Sequence, residues 1–227
     1  MSFREIPFAI HEFYHLYNRG NSKQNIFLDS ADYKRFQDLL FLANAVEPIT
    51  LREARRVGVY ETVRKEPLVA IGAYCLMPNH FHILLTPLCE GGVALFMQKI
   101  STGYAMYFNK RYQRTGGLFE GRFKSKHAFR DEYLKYLFSY IHLNPLKLKY
   151  YDWKMRIIKE DVLLKEGVEY QFSSYQDYVN DIRNESMILS KELFPKYFLD
   201  KAEWEREMRN WITYSDALTE ITEVGPR

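Results

Sequence analysis

His80-Phe81-His82 sets two imidazoles two residues apart. In an extended strand, side chains at i and i+2 leave by the same face. Two imidazoles side by side can chelate one divalent ion, while Phe81 points the other way into a core. Taken alone, the pair is also consistent with two unrelated histidines at a strand edge. A second group lies sixty residues on, in Tyr140-Ile141-His142-Leu143-Asn144-Pro145. On a helix, Tyr140 and Asn144 are four apart and share a face. An amide oxygen is an acceptable hard ligand, and histidine with oxygen suits magnesium or manganese. Asn144 could complete a site with the histidines and set the Tyr140 hydroxyl beside it. The competing reading makes Tyr133, Tyr136, Leu137 and Tyr140 an aromatic stripe of the core. A tyrosine has a pKa near 10, so its hydroxyl stays protonated near neutral pH unless a cation's field or a base assists. His142 is close in sequence, but its direction differs from that of Tyr140 by roughly 200° around a helix.

These groups need elements to hold them. Phe13 to Tyr17 reads as a short strand, and Asn18-Arg19-Gly20-Asn21 as a turn. Ser30 is positioned to cap a helix with Phe36, Leu39, Leu40 and Ala43 at helical spacing. Residues 46–67 form a charged excursion, partly helical. Leu68 to Leu76 is a buried strand, Pro78-Asn79 a turn, and Phe81 to Thr86 a second strand, which together make a hairpin. A long helix follows from about Val93 to Arg111, then a break at Gly116-Gly117. Leu118 to Ala128 is a strand or extended loop. Asp131 caps the next helix, which runs to Leu143 and stops at Pro145. Ser173 or Ser174 could cap a short helix through Val179, and Lys201 to Trp211 is another helical stretch. The order predicts an α+β fold: a ferredoxin-like antiparallel sheet with helices on one face, plus a C-terminal helical extension.

The chain has 227 residues, 47% of them hydrophobic, which is enough for a sizeable core. Net charge is only +3, but Phe108 to Lys149 holds ten basic and three acidic residues, a surplus of +7 against −4 elsewhere. Such a block, interleaved with aromatics, can attract a polyanion, or it can be a solvated surface. Cys75 and Cys89 make neither a disulfide framework nor a zinc-finger spacing. Nothing resembles a signal peptide, and no run is apolar enough to span a bilayer. The default expectation is a cytoplasmic, nucleoid-associated protein with no membrane partner.

Four ordered motifs resemble a known family. Tyr74-Cys75-Leu76-Met77-Pro78-Asn79-His80-Phe81-His82-Ile83-Leu84-Leu85 is similar to the histidine–hydrophobic–histidine signature of the Y1 (IS200-like, HUH-type) transposases. Asn18-Arg19-Gly20-Asn21 with Ile26-Phe27, Gly117 to Lys124, and Tyr140 to Pro145 resemble the REP-associated tyrosine transposases within that group. The likeness covers roughly residues 10 to 150, with an echo at Phe172-Ser173-Ser174-Tyr175. It divides the chain into a nuclease-like domain over 1–150, with a charged insertion at about 47–66, and an extension over 151–227. The insertion and the long C-terminal portion depart from the family.

The resemblance implies an Mg2+- or Mn2+-dependent enzyme that cuts single-stranded, hairpin-forming DNA through a 5′-phosphotyrosine intermediate and can rejoin strands. By motif, His80, His82 and Asn144 are the metal ligands and Tyr140 is the nucleophile. Arg19, Arg122, Lys124 and Lys126 are candidate phosphate contacts, and Arg19 and Asn21 candidate readers of sequence. The family includes both monomers and homodimers. Two rivals stay open: a non-catalytic regulator that binds structured DNA or RNA, and an unrelated metal hydrolase acting on a small molecule.

Overall fold

Alternation along two neighbouring strands decides the architecture. The computed structural model describes residues 7–150, 159–179 and 183–213. Four strands, β1 (Tyr14–Arg19), β2 (Val69–Met77), β3 (His80–Pro87) and β4 (Lys124–His127), form one antiparallel sheet in the order β2-β3-β1-β4. This is the ferredoxin-like order expected. In the central pair, Tyr14 lies opposite Leu85, Leu16 opposite Ile83 and Asn18 opposite Phe81. Opposed residues of an antiparallel pair share a face, so these turn one way. The partners His15–Leu84, Tyr17–His82 and Arg19–His80 turn the other.

The first face is covered by α1 (Ser30–Leu42) and α3 (Gly92–Arg111). Leu16, Phe36, Phe81, Ile83, Phe96, Ile100 and Tyr104 are buried together there. The Phe36 ring lies 5.0 Å from both Phe81 and Tyr104. The second face carries α4 (Asp131–Leu143), and α6 (Glu160–Glu169), α7 (Gln176–Val179) and α8 (Lys201–Thr213) complete that layer. Ala73, Cys75, Met77 and Leu84 of the sheet join Phe138, Ile141, Tyr175 and Trp204 in a second core. The C-terminal helices thus close the uncovered face instead of extending beyond the domain. Parts of the predicted extension, residues 151–158, 180–182 and 214–227, lie outside the described residues.

Several local expectations shift for identifiable reasons. Helix α1 is capped by Asp29, not Ser30: the Asp29 carboxylate accepts from the backbone N–H groups of Ala31 and Asp32. Asp131 is the first residue of α4 rather than its cap, and Arg130 stands in the capping place without a side-chain bond. The turn after β1 also moves. Arg19 is still strand, and the left-handed residues are Ser22 and Lys23, at φ 53° and 60°. Gly20 has φ −62°, so close approach is what requires it: a Cβ there would lie 2.2 Å from the Gln24 carbonyl oxygen. Its N–H donates to the Asn79 carbonyl at 2.8 Å, and Ile26 N–H donates to that of Pro78 at 2.8 Å. These bonds tie the end of β1 to the β2–β3 turn, immediately before His80.

The charged excursion contains α2 (Leu51–Val57), held by a reciprocal Thr50–Glu53 capping box. It returns to its start through Val46 N–H on the Glu66 carbonyl at 3.1 Å. It packs on the α1 side, away from the histidines. A short helix, α5 (Leu146–Lys149), follows Pro145.

Candidate active site

Strand β3 presents His80 and His82 on the second face, as their spacing predicts. Helix α4 crosses that face and brings Tyr140 and Asn144 down beside them. His80, His82, Tyr140, Asn144 and Lys147 line one cleft of about 420 Å³, with Asn79 and Pro78 at its rim. The Tyr140 ring stands edge-on to His82 at 5.5 Å and to His15 at 5.8 Å. Asn144 continues the right-handed helical backbone past α4, and its amide donates to the Tyr140 carbonyl at 2.8 Å. That bond aims the amide oxygen away from the helix, where the Lys147 ammonium donates to it at 3.1 Å.

Each cleft imidazole is held at the ring nitrogen nearer its backbone. Nδ1 of His80 lies 2.6 Å from Asn79 Oδ1, and Nδ1 of His82 lies 2.9 Å from Nε2 of His15. Both rings therefore keep Nε2 for the cleft. Burial pushes the His80 pKa down to about 4, with Lys147 and Arg19 adding to the effect. Burial likewise holds His82 well below the ordinary histidine range. Both rings are neutral at pH 7, the form that can donate a lone pair to a metal.

The donor set fits a divalent cation: two neutral imidazoles with Nε2 available, and an amide oxygen that already accepts from a cationic ammonium. Among the described residues no cluster of three or more His, Cys, Asp or Glu is placed to hold a metal ion. The third donor here is an amide oxygen, which can join imidazole nitrogens around a divalent ion.

Burial raises the pKa of Tyr140, and its hydrogen bond with Asn144 partly opposes this. The phenol is protonated at neutral pH. Lys147 lies on the ring's flank, its ammonium 5.3 Å from the centroid. His142 points elsewhere: its ring bonds Ser174 Oγ at 2.6 Å and the Phe138 carbonyl at 2.8 Å. Of the other tyrosines of α4, Tyr136 is buried against Trp211 as a core residue, while Tyr133 is half-buried under the Lys126 ammonium.

The basic residues divide. Lys124 and Lys126 alternate along the edge strand β4 opposite Tyr17 and His15, so both turn to the face of the histidines. Arg122 lies before β4 in an exposed bend, so it does not share a strand face with Lys124 as an extended segment would require. Arg19 points to the same face but is paired with Glu120. Asn21 is exposed in the turn after β1.

Sequence reasoning missed Lys147 in the cleft and His15, which bonds His82 from behind it. His15 carried a usable signal, since it is two residues from Tyr17 in a strand. Lys147 stood only as a member of the basic block, although it is three residues past Asn144 and so on the same side of a helical path.

Residues 52–144 match the family model described as transposase, IS200-like. That stretch is similar to the IS200-like transposases. It runs from α2 to Asn144, so the matched segment contains His80, His82, Tyr140 and Asn144, whereas His15 and Lys147 lie outside it. One solved structure similar to this chain is that of a REP-associated tyrosine transposase bound to a REP hairpin, with 13% sequence identity and a TM-score of 0.49, covering 86% of this chain and 89% of that one. No curated protein matches the chain.

Proposed function

We propose that this protein cleaves single-stranded, hairpin-forming DNA, with Tyr140 as nucleophile and a divalent cation, Mg2+ or Mn2+, held by His80, His82 and Asn144. The observation that carries the reading is the convergence of these four side chains on one cleft within the transposase segment. When bound, the cation supplies positive charge that polarises a non-bridging phosphate oxygen and offsets charge building at phosphorus.

The Tyr140 oxygen forms a bond to phosphorus as the bond from phosphorus to the 3′-oxygen breaks. The products are a 5′-phosphotyrosine and a free 3′-hydroxyl, which takes up the proton the phenol gives away. The link conserves the bond energy, so a 3′-hydroxyl can reverse the step and join strands. Burial keeps the Tyr140 phenol protonated in the free protein, so its proton leaves as phosphate enters. Lys147 keeps a second positive charge beside that ring for the phosphate. Lys124 and Lys126 supply charge along the sheet edge on the same face, where a single strand's backbone would run.

The test uses hairpin-forming single-stranded oligonucleotides with Mg2+ or Mn2+. A denaturant-stable protein–DNA adduct forms with the native chain and is lost on chelation. An adduct that survives in Tyr140→Phe would overturn the assignment and direct the search to Tyr136 and Tyr133. Hairpin binding with no adduct under either metal would make the protein a binder of structured DNA.

A further inference from the structure

We infer that His15 is a positioning residue for His82: it accepts the Nδ1–H of His82 and so fixes the Nε2 lone pair of that ring toward the cation. The inference rests on the metal site proposed above and adds a residue that lies outside the matched transposase segment.

The two cleft histidines are held differently. Asn79 offers His80 an oxygen, which accepts only. Its amide nitrogen is occupied at the Lys23 carbonyl, 3.3 Å away. His80 therefore carries its proton on Nδ1 and presents a lone pair at Nε2. The partner of His82 is another imidazole, at 2.9 Å, with the rings 5.0 Å apart and 23° from parallel. An imidazole can donate or accept. If His15 donated from Nε2, the proton of His82 would sit on Nε2 and block the metal. If His15 accepts, His82 is protonated at Nδ1 and can ligate. A ligating histidine whose second nitrogen is bonded in this way has its tautomer and ring orientation set by the partner.

His15 is built to do little else. It is 1% exposed, and its Nδ1 has no hydrogen-bond partner among the described residues. When His15 accepts at Nε2, that Nδ1 carries a buried, unpaired N–H. An orphaned N–H of this kind is rare in native proteins and costs free energy. A leucine would fill the space without that cost. Among the described residues, the one side-chain polar bond His15 makes is to His82. Its neighbours are the Tyr17 ring at 5.2 Å, the Tyr140 ring at 5.8 Å and, across β4, the Lys126 ammonium; burial first, and then that charge, oppose protonation of His15.

The experiment measures Mn2+ binding to the full chain by calorimetry for the native protein, His15→Leu and His15→Gln. A glutamine at 15 keeps an acceptor near the place of Nε2, and a leucine does not. We expect His15→Leu to lose roughly 10- to 100-fold in Mn2+ affinity and His15→Gln to recover most of it. Long-range proton–nitrogen spectra of His82 with Mg2+ bound should show the Nδ1–H form in the native chain and in His15→Gln, and lose it in His15→Leu. If His15→Leu binds Mn2+ like the native protein, or if His15→Gln is as weak as His15→Leu, the positioning role is overturned while the metal site stands. If the native chain binds no Mn2+, the metal site itself fails and the role of His15 falls with it.

Discussion

On one face of the sheet Phe81, Ile83 and Leu85 of β3 pack against α1 and α3; on the other, His80 and His82 of the same strand look into a cleft under α4. Strand β1 repeats the division, with Leu16 on the apolar side and His15 and Tyr17 on the polar side. The first face is closed by side chains that need only shape and volume. Around the cleft, the second is closed by polar groups that each need a particular partner: Asn79 for His80, His15 for His82, Lys147 for Asn144. The apolar face therefore tolerates apolar substitutions of similar volume, whereas the cleft tolerates little change of chemistry. Stability and activity should separate along this line.

The largest effect expected is on the cleft side. Tyr140→Phe should lower adduct formation by at least roughly 1000-fold, while changing unfolding free energy by about 1 kcal/mol or less. Denaturing gels and urea melts measure the two quantities, and a large loss of stability would break the division of labour between the faces. The opposite result is expected on the apolar side. Phe36→Ala removes a fully buried ring between Phe81 and Tyr104 and should cost about 3–5 kcal/mol. At a temperature where the variant remains folded, it should still form the adduct. An inactive but fully folded Phe36→Ala would show that the first face does more than support.

A smaller effect follows from the neutral histidines of the second face. Burial holds His80 down at about 4 and His142 at about 3, against an ordinary value of 6.5. Below pH 6.5 the unfolded chain takes up protons that the folded chain refuses, so stability falls as pH drops, and levels only below the folded values. Each such group contributes a slope of up to about 1.4 kcal/mol per pH unit. Urea midpoints at pH 7.0, 6.0 and 5.0, above most carboxylate titration, should decline; flat midpoints would refute the buried neutral state. Replacing His142 by glutamine should reduce the slope by that one group's share and leave the cleft's donors in place.

The smallest effect concerns DNA affinity. Lys124→Ala with Lys126→Ala should weaken binding of a single-stranded hairpin and reduce its salt dependence by about 0.7 in log–log slope for each phosphate contact removed. Lys110→Ala, exposed on α3 on the other side of the sheet, should leave that slope unchanged. Equal effects from the two sides would mean that DNA does not favour the face of the histidines.

Much of the frame could be read in the chain because it depends on short-range periodicity. The i, i+2 spacing of His80 and His82 and the i, i+4 spacing of Tyr140 and Asn144 fix which side of its own element each residue leaves. The strand and helix order gave the ferredoxin-like sheet for the same reason. The caps were misplaced by one residue, Asp29 for Ser30 and Arg130 for Asp131, because adjacent polar residues compete for a helix start and the backbone direction on entry selects between them. Arg122 and Lys124 were separated because β4 is only four residues long, and strand length at a sheet edge is set by what pairs with it.

The sequence by itself determined the donor types, their facing along each strand and helix, and the apolar stripes that bury one side of the sheet. Only the tertiary structure decided that His15 meets His82, that His142 meets Ser174, and that α6 to α8 close the second face. Those contacts join residues 67 apart in the chain for His15 and His82, and 32 apart for His142 and Ser174. Strand register and helix packing create such neighbours, and no local spacing encodes them.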